Sequence, residues 1–249
     1  MLETHALTIR FGGHAAVDGV TCAFKPGTLT SIVGPNGAGK TTYFNLISGQ
    51  LPATSGTVRL NGEDITAWAA PRRTRLGLGR AFQLTNLFPN LSALENVRLA
   101  VQVKSGKALD LLSRTSTHRA LADRAREHLA AVSLADRAEA IAATLPHGDQ
   151  RKLEVAILLA LEPDIFMFDE PTAGMSVDEV PTILDIIATI KARGDKTILL
   201  VEHKMDVVRS LSDRIVVLHQ GKLVADGAPA EVIASDIVRE AYLGGAADG

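Results

Sequence analysis

A single cysteine, Cys22, in 249 residues rules out a disulfide framework within the chain and fits a reducing compartment. Long hydrophobic runs are missing as well. The longest uncharged apolar stretches, such as Val155 to Leu161 and Thr197 to Val201, fall far short of the roughly 18 residues of a membrane span and read as core. An excess of either charge is absent. With 26 Lys and Arg against 28 Asp and Glu the formal charge is −2, which gives no reason to expect nucleic acid as a partner. The first residues include Glu3 and His5 rather than a basic-then-apolar leader. The expectation is a soluble or peripheral protein whose membrane function, if any, comes through a partner. About half the residues are apolar, enough to bury a core without staples.

The first quarter reads as β-rich, with strands at Ala6 to Phe11, Val17 to Phe24, Leu29 to Val33 and Thr57 to Leu60, the last followed by the tight-turn dipeptide Asn61-Gly62. Thr41 to Gly49 reads as a helix. From about Ser92 to Leu161 the pattern is helical and alanine-rich. Residues 98–137 carry eight Lys and Arg against four Asp and Glu, which reads as a solvated helical face. The last third alternates again: a strand at Ile165 to Phe168, a helix at Val180 to Arg193 with Pro181 in its first turn, a strand at Thr197 to Val201, a short helix at Met205 to Leu211, and a hairpin through Gln220-Gly221. Strand–helix alternation predicts an α/β core with a mostly parallel sheet, and the helical middle reads as an insertion.

Gly34 to Thr42, "GPNGAGKTT", fits G-x-x-x-x-G-K-[ST] between a strand and a helix, the context that pattern requires. Glycines allow a tight turn whose N–H groups point at phosphate, and the following helix offers its positive end. The candidate nucleotide-binding residues are Gly34, Asn36, Gly37, Ala38, Gly39, Lys40, Thr41 and Thr42. Lys40 places a cation against the β- and γ-phosphates of ATP, and the Thr41 hydroxyl is a ligand for Mg²⁺.

"IFMFDE", Ile165 to Glu170, puts four apolar residues in the core and delivers two carboxylates at the strand's C-terminal end, the edge where parallel sheets bind ligands. Asp169 is expected to hold Mg²⁺ through water, and Glu170 to orient or deprotonate the attacking water. Asp-Glu after a strand is a weak signal alone; downstream of a phosphate loop it is a strong one. Together the two motifs specify a P-loop NTPase.

The remaining motifs narrow this. Phe11 lies in "RFGG", Gln83 follows "GRAF", "LPHGDQRK" spans Leu145 to Lys152, "PTAGMSVDE" follows Glu170, and His203 stands just after a strand. In this order and approximate spacing the sequence resembles the ABC transporter ATPases over nearly its whole length. The resemblance implies an α/β fold: a P-loop NTPase (RecA-like) core with a β-rich N-terminal part and an inserted helical subdomain. It implies one ABC ATPase domain over 1–249, with the core at about 1–86 and 164–249 and the helical subdomain at about 87–163. It also implies that Phe11 stacks on adenine, that Gln83 touches the metal or water, and that His203 contacts the γ-phosphate. Leu145, Gly148, Asp149 and Gln150 fall in the signature motif, which acts on ATP held by a second cassette, and Gly174 to Asp178 match the loop that crosses to that partner.

The signature departs from the family's usual Leu-Ser-Gly-Gly-Gln: Pro146 replaces the serine, His147 the first glycine and Asp149 the glutamine. Proline has neither hydroxyl nor N–H, so the serine's contact to phosphate is lost while the helix N-terminus remains.

"RAFQLTNLFPNLSALENV", "LPHGDQRKLEVA" and the ending "DIVREAYLGG" look like the ATPases of branched-chain amino acid uptake systems. That branch implies a second ABC ATPase chain, two transmembrane permease subunits, indirectly a periplasmic solute-binding protein, and a place on the cytoplasmic face of the inner membrane. ATPases for urea uptake and lipopolysaccharide export share much of the pattern. Two readings compete with a transporter energiser: a soluble ABC protein without a membrane partner, and a module that binds nucleotide without hydrolysing it. Glu170 and His203 argue against the second. One cassette and no coiled-coil insertion argue against the translation-type and chromosome-associated forms of the first.

Overall fold

The structure, a computed structural model, describes residues 1–81, 87–106, 115–236 and 238. The chain forms two compact units. The first takes Met1–Leu78, Asp164–Glu170 and the described residues from Lys191 onward; the second takes the described residues of Gly79–Pro163 and Pro171–Ile190.

In the first unit two sheets flank one helix. The N-terminal strands β1 (Leu2–Phe11), β2 (His14–Phe24), β4 (Ser55–Leu60) and β5 (Glu63–Asp64) form an antiparallel sheet in the order β2-β1-β4-β5. β1 and β2 begin earlier than the sequence suggested. β1 is paired on both sides, so ladder bonds hold polar ends that have no apolar pattern. Its register shifts around Ala6, whose φ is +45°. At Asn61-Gly62 both φ values are positive, +51° and +84°, as the tight β4–β5 turn requires.

The second sheet is mainly parallel. β3 (Leu29–Val33), β7 (Ile165–Asp169) and β8 (Thr197–Val201) are buried at every residue, which explains the near-continuous apolar runs of β7 and β8. β9 (Arg214–His219) pairs parallel with β3 and antiparallel with β10 (Lys222–Gly227), giving the order β10-β9-β3-β8-β7. Of β6 (Leu78–Ala81), Leu78 ends the first segment of this unit and the other residues belong to the second. Helix α1 (Lys40–Ser48) follows β3 and buries Tyr43, Phe44, Leu46 and Ile47 against Leu2, Phe24, Ile65 and Met167. The buried Tyr43 hydroxyl is satisfied by Thr4 Oγ1 at 2.7 Å. The short helices α7 (Met205–Leu211) and α8 (Pro229–Ala234) complete this unit.

α1 ends against an arginine that the sequence did not announce. The short helix α2 (Ala70–Arg75) carries Arg73, 2 % exposed. Its guanidinium donates to the carbonyls of Leu46 and Ile47, at 2.8 and 2.7 Å, and to those of Trp68 and Thr66. The first two lie in the last turn of α1, where carbonyls lack helical partners. Arg72 lies 3.4 Å over the Trp68 ring. Burial lowers the Arg73 pKa to about 10, with Asp64 opposing the shift.

The second unit is helical. α3 (Ala93–Lys104) starts with Ser92 as N-cap, whose hydroxyl accepts the Glu95 N–H. It packs with α4 (Thr115–Ala131) and α5 (His147–Leu161), and Val97, Ala125, Leu129 and Leu153 are fully buried. α6 (Val180–Ala192) has Pro181 in its first turn, where a missing N–H costs nothing. Among the described residues no helix is long and apolar enough to cross a membrane.

Candidate nucleotide site

The loop between β3 and α1 is shaped by what cannot fit in it. Gly34 has φ +151°, and a Cβ there would stand 2.1 Å from the Leu218 carbonyl oxygen. Gly39 has φ +97°, and its Cβ would meet the Ala16 oxygen at 2.3 Å. Only glycine satisfies both positions. The β9–β10 turn braces the loop: the Gly221 N–H donates to the Ala38 carbonyl at 3.0 Å, and the Gly221 carbonyl accepts from Asp18. α1 then starts at Lys40 without a side-chain cap, leaving its first N–H groups for a ligand.

Lys40 is 6 % exposed, and its ammonium donates to the loop's own carbonyls, Gly34 at 2.7 Å and Pro35 at 2.9 Å. Burial lowers its pKa, against the opposing charges of Glu170 and Asp169. A buried cation beside two carboxylates, with neutral carbonyls as partners, is poised to exchange those carbonyls for anionic oxygens.

β7 ends at Asp169, 2 % exposed and in register with Val201 of β8. At Glu170 the backbone turns to φ +51°, while its N–H continues the ladder to the Val201 carbonyl at 2.9 Å. That turn brings the Glu170 Oε1 to 2.8 Å from Nε2 of His203, two residues beyond β8. A cavity of about 210 Å³ opens between these elements, lined by Ala16, Asn36 to Thr42, Glu170 and His203.

The structure therefore brings together on one cavity the phosphate-loop residues from Asn36 to Thr42, Glu170 and His203, with Asp169 buried directly before Glu170. Phe11 is not among the lining residues; it stands 53 % exposed at the end of β1, opposite His14. Gln83 lies outside the described residues. The oxygen donors of Thr41 and Asp169 suit a hard cation such as Mg²⁺. Among the described residues no group of three or more His, Cys, Asp or Glu is placed to hold a metal.

The signature residues belong to the second unit. Pro146 is the N-cap of α5, and Pro146 and His147 are exposed. Leu145 is buried, and its carbonyl accepts from the Gln150 side chain at 2.9 Å. Asp149 is buried too; its carboxylate meets the Lys152 ammonium at 3.1 Å and lies 3.9 Å from Arg137.

A further pattern in this unit lay unread in the sequence. Ser176 and Glu179 form S-x-x-E, and the Glu179 carboxylate accepts both the Ser176 N–H, at 3.1 Å, and its hydroxyl, at 3.0 Å. Only the glutamate half of a capping box is formed just before α6, and its S-x-x-E spacing was readable from the sequence.

Comparison with known proteins turns this geometry into a family. The family model described as "ABC transporter" matches residues 17–173. The chain belongs to the ABC transporter family. A second model, "Branched-chain amino acid ATP-binding cassette transporter", matches residues 222–248. The chain is 38 % identical to the high-affinity branched-chain amino acid transport ATP-binding protein LivG of Escherichia coli K12, over 98 % of both chains. It is 39 % identical to BraF of Pseudomonas aeruginosa, a protein of the same description, again over 98 % of both. Among solved structures, a nucleotide-free ATP-binding cassette from an ABC transporter superposes with a TM-score of 0.82 at 26 % identity, covering 97 % of this chain and 98 % of the other. A dimeric cassette in a post-hydrolysis state bound to ADP and Pi gives 0.80 at 26 %, covering 92 % and 99 %. The α/β P-loop fold expected from the motifs is thus the fold found, and this ABC cassette is an ATP-binding ATPase.

Proposed function

We propose that this ABC ATPase energises a transporter that imports branched-chain amino acids, working as one domain over 1–249 with the core at about 1–86 and 164–249 and a helical subdomain at about 87–163. The observation that carries the chemistry is the cavity shared by Lys40, Thr41, Glu170 and His203. The amino-acid class rests on full-length similarity to LivG and BraF and on the match over residues 222–248.

In this reading Lys40 and the N–H groups of the loop hold the β- and γ-phosphates of ATP, and Phe11 stacks on adenine. Thr41 and Asp169, with Gln83, hold Mg²⁺, which when bound neutralises phosphate charge. Glu170 accepts a proton from the attacking water, and His203, whose Nε2 meets that carboxylate at 2.8 Å here, turns its N–H to the γ-phosphate when ATP is held. A second cassette closes the open side of the nucleotide with its signature helix: Leu145, Gly148, Asp149 and Gln150 belong to the helix end that this chain offers in return. Pairing and release drive two transmembrane permease subunits at the cytoplasmic face of the inner membrane, fed by a periplasmic solute-binding protein. Phe88, 57 % exposed, stands near the exposed Leu91 and Ile141 and suits a permease contact.

The test is uptake of radiolabelled leucine, isoleucine and valine in cells that lack the chain. Restoration by the native chain and none by Lys40→Ala supports the proposal. Unchanged uptake without the chain refutes the substrate class, and full activity of purified Lys40→Ala refutes the site.

A further inference from the structure

Within the second unit the end of α5 and the segment after β7 are fastened together by groups that have no role in the nucleotide cavity. Lys152 Nζ donates to Glu179 Oε1 at 2.9 Å and to Asp149 Oδ1 at 3.1 Å. The other Glu179 oxygen, Oε2, holds the N–H and hydroxyl of Ser176. One ammonium and one carboxylate therefore join the first turn of α5 to the loop that starts α6. Two glycines make the approach possible. A Cβ on Gly148 would stand 2.4 Å from Glu179 Oε2, and a Cβ on Gly174, where φ is +73°, would stand 3.0 Å from the His147 ring. Lys152's ammonium and then the Ser176 amide hold the Glu179 carboxyl below its usual range.

This fastening is well placed to do more than stabilise. The groups it holds carry exposed tips: Pro146 and His147 on α5, and Val177, 87 % exposed, on the loop. An apolar side chain that open, lying between Ser176 and Glu179, which are bonded to each other, suits a surface completed by another molecule.

We infer that Lys152 and Glu179 are positioning residues that make the α5 end and the Gly174–Val177 loop one rigid docking surface for a second cassette. The inference rests on the pairing proposed above. It adds that pairing strength depends on an ion pair that does not line the chain's own nucleotide cavity. With the pair intact, both tips meet the partner without an ordering cost at the moment of contact. With it broken, the loop and helix must be ordered separately, and pairing weakens while the chain's own hold on ATP stays the same.

The experiment measures specific ATPase activity of the purified chain against total chain concentration, together with nucleotide affinity at a concentration where the chain is monomeric. Lys152→Met is expected to raise the concentration for half-maximal activity about tenfold, to leave monomer affinity within twofold, and to reach near-native activity at high concentration. Lys152→Arg, which keeps the charge and both carboxylate contacts, is expected to restore the native curve. Glu179→Gln, which retains an acceptor for Ser176, serves where Lys152→Met does not fold, and should shift the curve in the same direction. A loss of folded protein lowers the plateau and raises the apparent midpoint by the same factor, so a tenfold midpoint shift at a near-native plateau separates positioning from stability. A native midpoint in both Lys152→Met and Glu179→Gln overturns the inference alone. A native chain whose specific activity is independent of concentration overturns the pairing and the inference with it.

Discussion

Glu170 and His203 meet at 2.8 Å, Oε1 to Nε2, on two different strand ends, and the glutamate reaches that position only because its backbone adopts φ +51°. A non-glycine residue in the left-handed region is uncommon and costs of order 1 kcal/mol. Here that conformation turns the side chain out of the β7 ladder and into the cavity. Replacing Glu170 by Gln keeps the shape and the His203 contact but removes the proton acceptor. Turnover is expected to fall roughly 100-fold or more while ATP still binds. Steady-state hydrolysis and equilibrium nucleotide binding on the same preparation check this; native turnover in the variant would remove Glu170 from the chemistry.

How much of this was legible beforehand follows from where each partner sits in the sequence. The phosphate loop is nine consecutive residues, and its spacing is its geometry. β3, β7 and β8 announced themselves because they are buried on both faces. Arg73 did not, since its partners are four backbone carbonyls, which every residue has and no sequence displays. α2 was missed for the same reason: six residues with three arginines carry no apolar period, and the helix is held by Arg73. Lys152 and Glu179 are 27 positions apart, in segments read for other motifs.

The buried guanidinium gives a stability prediction. Arg73→Met removes four hydrogen bonds and leaves the carbonyls of Leu46 and Ile47 without their charged donor at the end of the helix that begins with Lys40. The expected loss is about 2–4 kcal/mol, from the desolvation cost of unsatisfied groups. Arg73→Lys should recover little of it, because a single ammonium cannot span four carbonyls in the geometry of the fork. Denaturant unfolding of the three proteins measures this, and a Lys variant as stable as the native chain would show that charge alone suffices.

Cys22 is buried, 5 % exposed. Burial is the main reason its pKa rises to about 11, against Arg214, whose Nη2 lies 3.6 Å from the sulfur. The unfolded thiol ionises near 9, so between pH 9 and 11 the unfolded chain loses a proton that the folded chain retains. Folding is therefore favoured fully below pH 9 and loses about 2–3 kcal/mol as the pH rises to 11. Cys22→Ala should show a smaller loss over that window. In the native chain at pH 8, thiol labelling should be at least about 100-fold slower than after denaturation. Fast native labelling would place the sulfur at the surface.

Pro146 yields the sharpest test of the trans arrangement. It caps α5 with φ −54° and ψ 154°, so the helix end forms without strain, but it offers neither the hydroxyl nor the N–H of a serine. In the pairing proposed above, each signature serves the nucleotide held by the other chain. The missing contact should therefore weaken the site whose ATP sits on the partner, and leave the Lys40–Glu170 cavity of the same chain untouched. A hydroxyl donating to a phosphate oxygen is worth roughly 1–3 kcal/mol, and the helix N–H groups recover part of that. Pro146→Ser is thus expected to tighten ATP-dependent pairing by up to about tenfold, at unchanged ATP affinity of the isolated chain. Light scattering in the Glu170→Gln background, with nucleotide binding measured on the dilute chain, reads the two quantities separately. If the substitution alters binding in the monomer and leaves pairing alone, Pro146 acts within its own chain, and the helix end at Leu145 to Gln150 is a local turn rather than a surface offered to a partner.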